Sequence, residues 1–423
     1  MAWLNSPAVE LAFSLIFLWT IYRFVTTRKS KNNQGELGLP PGPRPWPVIG
    51  NLHLLGRLPH KSLAELANKY GHIMFLRWGS VPTVVASSPA MAKEFFKNHG
   101  LIFANKPPSA TGRTYSDHEL GGGKWFLQMV AEIMHLSGVI VVGDFIPSLA
   151  FLDWRGYCRR MQDARKVFDE FFDKLINEHV ERRRSKKSDD PDIVDVLLDM
   201  AESETAEIQV SRIHMKAIIM DMLSAGVETS ATTIEWAMTE MLRNPQVMAR
   251  AQQEIELEVG RDRIVRESDL VNLDYLRCVV KETLRLHPPA PLLIPHESTQ
   301  GCNVGGYYIP PKTRLLVNVW AIGRDESVWE DPLEFKPGRF IGSSIDVKGH
   351  QFEMLSFGTG RRQCPGIAMG LSVVHLAVAQ LIHCFHWSVE GDLDRDEEFG
   401  LTVPRKFPIF ALPSWRLTTN EPP

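Results

Sequence analysis

The stretch from Arg212 to Met241 constrains the fold more than any other. For half its length it is apolar on nearly every face of a helix, through Ile218, Ile219, Met220, Met222 and Leu223. A helix that is hydrophobic all round has no solvent side, so it must run through the middle of a large protein. The chain supplies one, with 423 residues, 44% hydrophobic and 23% charged, an ordinary globular balance. Helical apolar spacing also runs from Lys124 to about Ala201, broken at 143–147, and again over Gln246 to Val259 and Leu273 to Leu286. The charged run from Glu181 to Asp192 reads as a solvated loop. A helix over His60 to Lys69, a strand pair at Ile73 to Trp78 and Thr83 to Ser87, and a helix from Pro89 precede these. Cys302 to Ile309 and Arg314 to Val319 read as a small hairpin or sheet. The expected class is mainly α with a small β portion and no internal repeat.

Two segments stand outside that body. Leu11 to Tyr22 is apolar and is followed at once by Arg23, Arg28, Lys29 and Lys31. With its flanks it approaches the roughly 20 residues that span a bilayer as a helix. The basic cluster after it predicts a single-pass anchor with a cytosolic body. A cleaved signal peptide is the alternative, though the basic residues lie after the apolar run and no small-x-small site follows. The prolines from Pro40 to Pro47 then remove donors and fix φ, so this part is a stiff connector. The division is an anchor at 1–25, a basic and proline-rich connector at 26–50, and a catalytic body at 51–423. The net charge of -3 gives no basic excess for nucleic acid. Five scattered cysteines without a C-x-x-C pair imply a reducing compartment and no disulfide framework.

Cys364 stands out among them. It follows a glycine-rich turn and precedes a helical pattern with apolar positions at 367, 371, 374, 378, 381 and 385. At a helix N-terminus the dipole and free amides favour thiolate, the metal-ligating form, and Arg361 and Arg362 add positive charge. Read alone, a Cys-Pro-Gly before a helix is more often structural. Inside the central helix, the run Ala225-Gly226-Val227-Glu228-Thr229-Ser230 is poor helix-forming sequence. The Thr229 hydroxyl can bond the Ala225 carbonyl and bend the helix, with a plain kink or packing notch as the alternative. Glu282 and Arg285 form an i,i+3 pair, weak if it lies on the surface.

The segment from Phe357 to Gly366 has the form Phe-x-x-Gly-x-Arg-x-Cys-x-Gly and resembles the cysteine loop of the cytochrome P-450 family. That resemblance implies haem b with Cys364 as axial thiolate, the ligand that favours O–O cleavage. It also implies Phe357 beside the thiolate, Arg362 on a haem propionate, and close backbone approach at Gly360 and Gly366. The Ala225 to Ser230 run resembles the family's oxygen-binding motif, with Thr229 and Glu228 organising protons. Glu282, Arg285 and Arg339 match its buried acid and arginines, while Gly338 replaces the usual acidic residue. Pro291 to His296 resembles the segment carrying substrate contacts, here Leu292, Leu293 and Ile294, and a propionate-binding base, here His296. Ala225 and Leu401 complete the implied apolar pocket. The connector and Asn318 to Asp325 resemble the land-plant branch near flavonoid and terpenoid hydroxylases, so ordered motifs cover most of 36–423.

The implied activity is insertion of one oxygen atom from O2 into an apolar flavonoid, phenylpropanoid or terpenoid. Electrons come from NADPH through a membrane-bound reductase that meets the face near Arg361 and Arg362, at the endoplasmic reticulum. The pattern has a gap. After Phe103 to Pro108 the family continues into a substrate-covering loop and a helix whose Trp-x-x-x-Arg contacts a propionate. This chain passes instead through Tyr115 to Leu120 to Gly121-Gly122-Gly123-Lys124-Trp125, which resembles later helices. Several helices of the N-terminal half are thus expected to be missing between about 109 and 123. Trp154 and Arg155 are adjacent and cannot substitute. Such a loss exposes apolar surface and leaves propionates underpaired, costs comparable with a domain's whole stability. A truncated, catalytically impaired variant is therefore the competing expectation. An isomerase or dehydratase that uses no oxygen is the third, disfavoured by Thr229. Gly121 to Lys124 lacks a phosphate loop's other residues, and His383, Cys384 and His386 lack a second ligand pair.

Overall fold

The computed structural model describes residues 37–107, 132–139, 141–151, 153, 156–185, 191–203 and 210–418. The anchor expected at 11–22, the junction at 109–123 with Gly121 to Trp125, and Trp154-Arg155 lie outside the described residues. The proline-rich connector has no helix, and its Pro41 carbonyl accepts from Phe75 N at 2.9 Å. Helix α1 (Pro59–Tyr70) opens on proline, whose absent N–H is one the first turn leaves unpaired anyway. Strands β1 (Ile73–Trp78) and β2 (Val81–Ala86) pair antiparallel from Ile73↔Ala86 to Trp78↔Val81. Ser88 caps α2 (Pro89–Lys93), its hydroxyl oxygen accepting from Met91 N.

The charged run departs from its expectation. Helix α3 (Tyr157–Ser185) continues through 181–185 because its arginines have partners on α4 (Ile193–Glu202). Arg182 Nη2 donates to Asp195 Oδ2 at 2.8 Å, and Arg183 pairs with Asp199. Asp192 caps α4, accepting from Val194 N at 2.9 Å, while its other oxygen meets His179 Nε2 at 2.8 Å. Charge here joins two helices, a contact that local patterning does not carry.

Helix α5 (Arg212–Arg243) is the central helix, 32 residues long and capped by Ser211. Met215, Ile219 and Met220 pack against Phe168, Phe172 and Leu197. Ala237, Met238 and Met241 pack with α6 (Pro245–Val259), α7 (Asp274–Leu286) and α8 (Ile367–Cys384). The all-round burial that its composition predicts is only partly met, since Ile218 and Met222 face solvent. Helix α8 is long and apolar enough to cross a membrane, but Val374, Val378, Ala379 and Ile382 belong to the core, so it is a core helix.

The β portion also differs from a simple hairpin at 302–319. Strands β3 (His296–Glu297), β4 (Cys302–Val304), β5 (Tyr307–Ile309) and β6 (Arg314–Val317) follow in order, and β4 pairs with β5 alone. β6 runs parallel to β2, from Thr83↔Arg314 to Ala86↔Val317, and antiparallel to β3, giving a sheet of order β1-β2-β6-β3. Leu315, Leu316 and Val317 are buried, the unbroken apolar run of an interior strand. β7 (Phe385–Val389) and β8 (Ala411–Trp415) form a separate antiparallel pair.

Behind α5, a buried polar group ties α5, α7 and the 394–405 segment together. Glu240 accepts from His287 Nε2 at 2.8 Å and from Arg395 Nε and Nη2 at 2.7 and 2.6 Å, and Trp236 stacks on His287 at 3.9 Å. Burial pushes the Glu240 carboxyl up, but these donors outweigh it and bring it from 4.5 down to about 2. Burial holds His287 below its ordinary 6.5, so it is neutral, with the proton on Nε2 and a bare, unpartnered Nδ1. Both groups bind protons more readily once unfolded. The stability that His287 contributes is present above 6.5, that of Glu240 above 4.5, and both are lost on acidification. The urea midpoint should therefore fall from pH 7 to 3, starting below 6.5; a flat profile over that range contradicts this.

Candidate functional site

The loop at 357–366 leaves the core at Phe357, which packs half-buried against the α7–α8 cluster. Gly358 and Gly360 have φ of 67° and 72°, left-handed conformations that glycine adopts without a Cβ penalty. The loop folds back so that Cys364 N donates to Phe357 O at 3.0 Å. This pins the cysteine backbone and turns its thiol outward, and Cys364 is the one exposed cysteine of the five. α8 begins at Ile367 with Gly366 as its cap, so the thiol precedes the helix by one loop step instead of capping it. A Cβ built on Gly366 would lie 3.8 Å from Cys364 Sγ, and one on Gly370 3.9 Å from the Phe357 ring, so both glycines keep bulk away from the loop.

Two bases converge beside this loop. His296 Nδ1 donates to Phe103 O at 2.8 Å, and Arg362 Nε donates to Ala104 O at 2.8 Å, so successive carbonyls hold both. Phe96 meets His296 edge-on at 5.0 Å. Burial lowers His296 below 6.5; its bond to Phe103 opposes this, and the charges of Arg362 and Lys106 push further down. A carbonyl can only accept, so Nδ1 carries the proton and the neutral ring offers a lone pair at Nε2. An incoming carboxylate would favour the charged ring and turn Nε2 into a donor. Arg361 is exposed.

On α5, Thr229 Oγ1 donates to Ala225 O at 2.6 Å and the helix stays unbroken. Its hydroxyl hydrogen is thereby occupied, and its oxygen is left to accept. Glu228 Oε1 accepts from Thr402 Oγ1 at 2.6 Å, while Oε2 is buried without a partner. Burial raises the Glu228 carboxyl, and the Thr402 bond partly opposes this. Ala225 and Gly226 are exposed, and a Cβ on Gly226 would meet nothing within 4 Å.

The apolar candidates do not share one cluster. Leu292 packs with Met74, Leu76 and Leu316, Leu293 with Phe96 and Phe103, and Leu401 with the Met215–Ile219 part of α5, while Ile294 is exposed. Leu293 sits at φ 53°, costly for a branched side chain, and its Cδ1 is 4.0 Å from a Cβ built on Gly358.

Glu282, Arg285 and Arg339 meet in one buried array. Arg285 Nε and Nη2 donate to the two Glu282 oxygens at 2.7 and 2.8 Å, and Arg339 Nε reaches Oε1 at 3.0 Å. The Lys336 amide donates to the same oxygen at 2.8 Å. A Cβ at Gly338 would meet nothing, so the departure there leaves the array intact. His383 donates to the Arg263 carbonyl, Cys384 is buried and His386 exposed, so these three form no metal cluster. Sequence reasoning missed Thr402, the carbonyls of Phe103 and Ala104, and the Glu240–His287–Arg395 group. All are long-range partners, which local sequence patterning does not carry.

The residues present fit a haem. An exposed thiol offers a soft donor, His296 and Arg362 offer paired bases, and Gly226 leaves open space on α5. N-terminal of their mutual contact, α5 and α8 both expose apolar groups, Met222 on one and Met369 and Val373 on the other.

Comparison with known proteins agrees. The cytochrome P-450 family model matches residues 40–128 and, separately, 122–410. A cytochrome P-450 750A1 of Pinus taeda is 40% identical over 515 positions, covering 97% of this chain and 96% of that protein. Flavonoid 3',5'-hydroxylase of Campanula medium is 35% identical (90% and 92% covered), and flavonoid 3'-monooxygenase of Arabidopsis thaliana 34% (95% and 96%). As 97% of 423 residues is about 410, about 105 of the 515 positions shared with the pine protein have no counterpart here. The two family matches meet at 122–128.

Proposed function

Because the chain belongs to the cytochrome P-450 family, we propose that it is a haem-thiolate monooxygenase acting on an apolar plant metabolite, with Cys364 as iron ligand. The observation that carries this reading is the outward thiol of Cys364, the exposed cysteine, pinned through its amide to Phe357 O in a glycine loop. Haem b, when bound, supplies the one-electron and oxygen chemistry. The protein's own groups bind, orient and move protons. His296 and Arg362 hold the propionates from fixed positions, because the Phe103 and Ala104 carbonyls set their directions. Glu282, Arg285 and Arg339 keep the segment behind the loop rigid. Glu228 carries a proton, as its buried and unpartnered Oε2 favours, and Thr229 accepts at its free lone pairs. Ala225 and Ile294, both exposed, supply apolar surface for the substrate, while Leu292, Leu293 and Leu401 back it from three separate core clusters.

The flavonoid names of two relatives support a flavonoid, phenylpropanoid or terpenoid substrate class. Electrons come from NADPH through a membrane-bound reductase, for which exposed Arg361 and Arg362 suit an acidic partner. The apolar run at 11–22 anchors the protein to the endoplasmic reticulum with its body in the cytosol. The test is to express the full chain, reduce it under carbon monoxide, and look for the strongly red-shifted Soret band of thiolate-ligated haem. No haem uptake rejects the proposal. The roughly 105 unmatched positions favour a second reading, a truncated product without activity; uptake of haem without oxygen-dependent product formation would select it.

A further inference from the structure

We infer that Thr402 is the positioning residue of the acid Glu228: its hydroxyl clamps one carboxyl oxygen and leaves the other to carry the proton that α5 delivers. The inference deepens the reading above and rests on it for the role of Glu228, but the contact itself does not depend on bound haem.

Thr402 Oγ1 donates to Glu228 Oε1 at 2.6 Å across 174 residues of chain. A carboxyl oxygen that accepts a hydrogen bond is the poorer place for the proton, so the clamp assigns the proton to Oε2, which is buried and has no partner among the described residues. Thr402 is 2% exposed. Its backbone neighbour Val403 is fixed at both of its backbone groups: Val403 N donates to Pro289 O at 2.9 Å, and Val403 O accepts from Trp236 Nε1 at 3.1 Å. Trp236 is on α5 itself, two helical turns past Glu228. The threonine is thus held in register with the helix that carries its partner, and Glu228 has little rotational freedom left. The groups acting on the Glu228 proton are few. Burial raises it and Thr402 lowers it, with no charged side chain of the described residues contributing. Among the described side chains, Thr402 is therefore the one whose substitution directly changes the hydrogen bonding of this acid. Leu401, next in the chain, packs against α5, so a substrate pressing on Leu401 presses on the clamp.

The experiment compares wild type, Thr402→Val, Thr402→Ser and Glu228→Gln as full chains. In the haem-free protein the carboxyl stretch that vanishes in Glu228→Gln is titrated by infrared spectroscopy. Loss of the donor should move its titration to higher pH in Thr402→Val, and serine should restore it. In haem-loaded enzyme, product formed per NADPH consumed should fall about tenfold in Thr402→Val, short of the roughly 100-fold or more expected for loss of the acid itself. KM should hold, and Thr402→Ser should recover the coupling. An unmoved titration in Thr402→Val, or a shift that serine does not reverse, overturns the inference. If the valine variant fails to fold, the Thr402 hydroxyl proton is read by NMR in wild type; slow exchange that follows the Glu228 titration supports the clamp and free exchange overturns it. Failure to load haem would instead reject the functional reading, leaving the infrared result to decide on Thr402.

Discussion

Replacing Cys364 by alanine is expected to abolish the thiolate-type Soret band while leaving the fold intact. The thiol is exposed, so its loss removes no buried contact, and such surface changes cost within about 0.5 kcal/mol. Its anchoring bond uses the backbone amide, which alanine keeps. No other cysteine can take over the iron. Cys384 is 3% exposed and burial raises its thiol, Cys278 is likewise buried and raised, and burial pushes Cys302 up to about 11. Each of these would have to lose its proton in surroundings that disfavour the thiolate. Cys158 sits at the start of α3, its amide bonded to Asp153. The paired control is Cys384→Ala, which should keep the band. A band that survives in Cys364→Ala and disappears in Cys384→Ala would overturn the ligand assignment.

What could be read from sequence follows the range of the interaction involved. The Thr229 to Ala225 bond spans four residues, and the helix period alone anticipates it. The cysteine loop is equally local, since its glycines and its turn lie within ten residues of the thiol. The sequence pattern leaves open whether β6 joins a hairpin or a sheet, because its partner β2 lies more than 200 residues away and pairs with it by apolar burial on both faces. The run at 181–185 was misjudged for the same reason: its arginines look solvated until α4 folds back beside them. Exposure of Ile218 and Met222 runs against an all-apolar helix, because composition reports how apolar a helix is and not what is left to cover each of its faces. The Glu228 carboxylate was legible and its clamp was not, since nothing in Gly400-Leu401-Thr402 marks a hydroxyl that will reach across the molecule.

Arg285→Ala should be strongly destabilising, the most so of the changes within this array. Glu282 and Arg285 are both fully buried, so the pair cannot be valued as a surface ion pair worth a few tenths of a kcal/mol. Besides its two bonds to Glu282, Arg285 donates to the carbonyls of Gly323, Pro332 and Glu334. Truncation leaves those carbonyls without their donor and leaves Glu282 with Arg339 and one backbone amide. Breaking a buried pair costs about 3 to 5 kcal/mol; here Arg339 still offsets part of the Glu282 charge, and the three orphaned carbonyls add their own desolvation cost. Against a typical net stability of roughly 5 to 15 kcal/mol, that removes from about a fifth to nearly all of what holds the domain together. Arg285→Lys should recover little, because one ammonium cannot reproduce a planar fork that bonds both carboxylate oxygens while serving three carbonyls. Arg339→Ala should cost less, since its remaining bonds go to the Glu330 and Asp331 carbonyls at the protein surface. Urea unfolding of the haem-free chain gives the ranking directly, wild type above Arg339→Ala above Arg285→Lys and Arg285→Ala. A loss below about 1 kcal/mol for Arg285→Ala, the value of an ordinary net hydrogen bond, would show that the array does not hold this fold together.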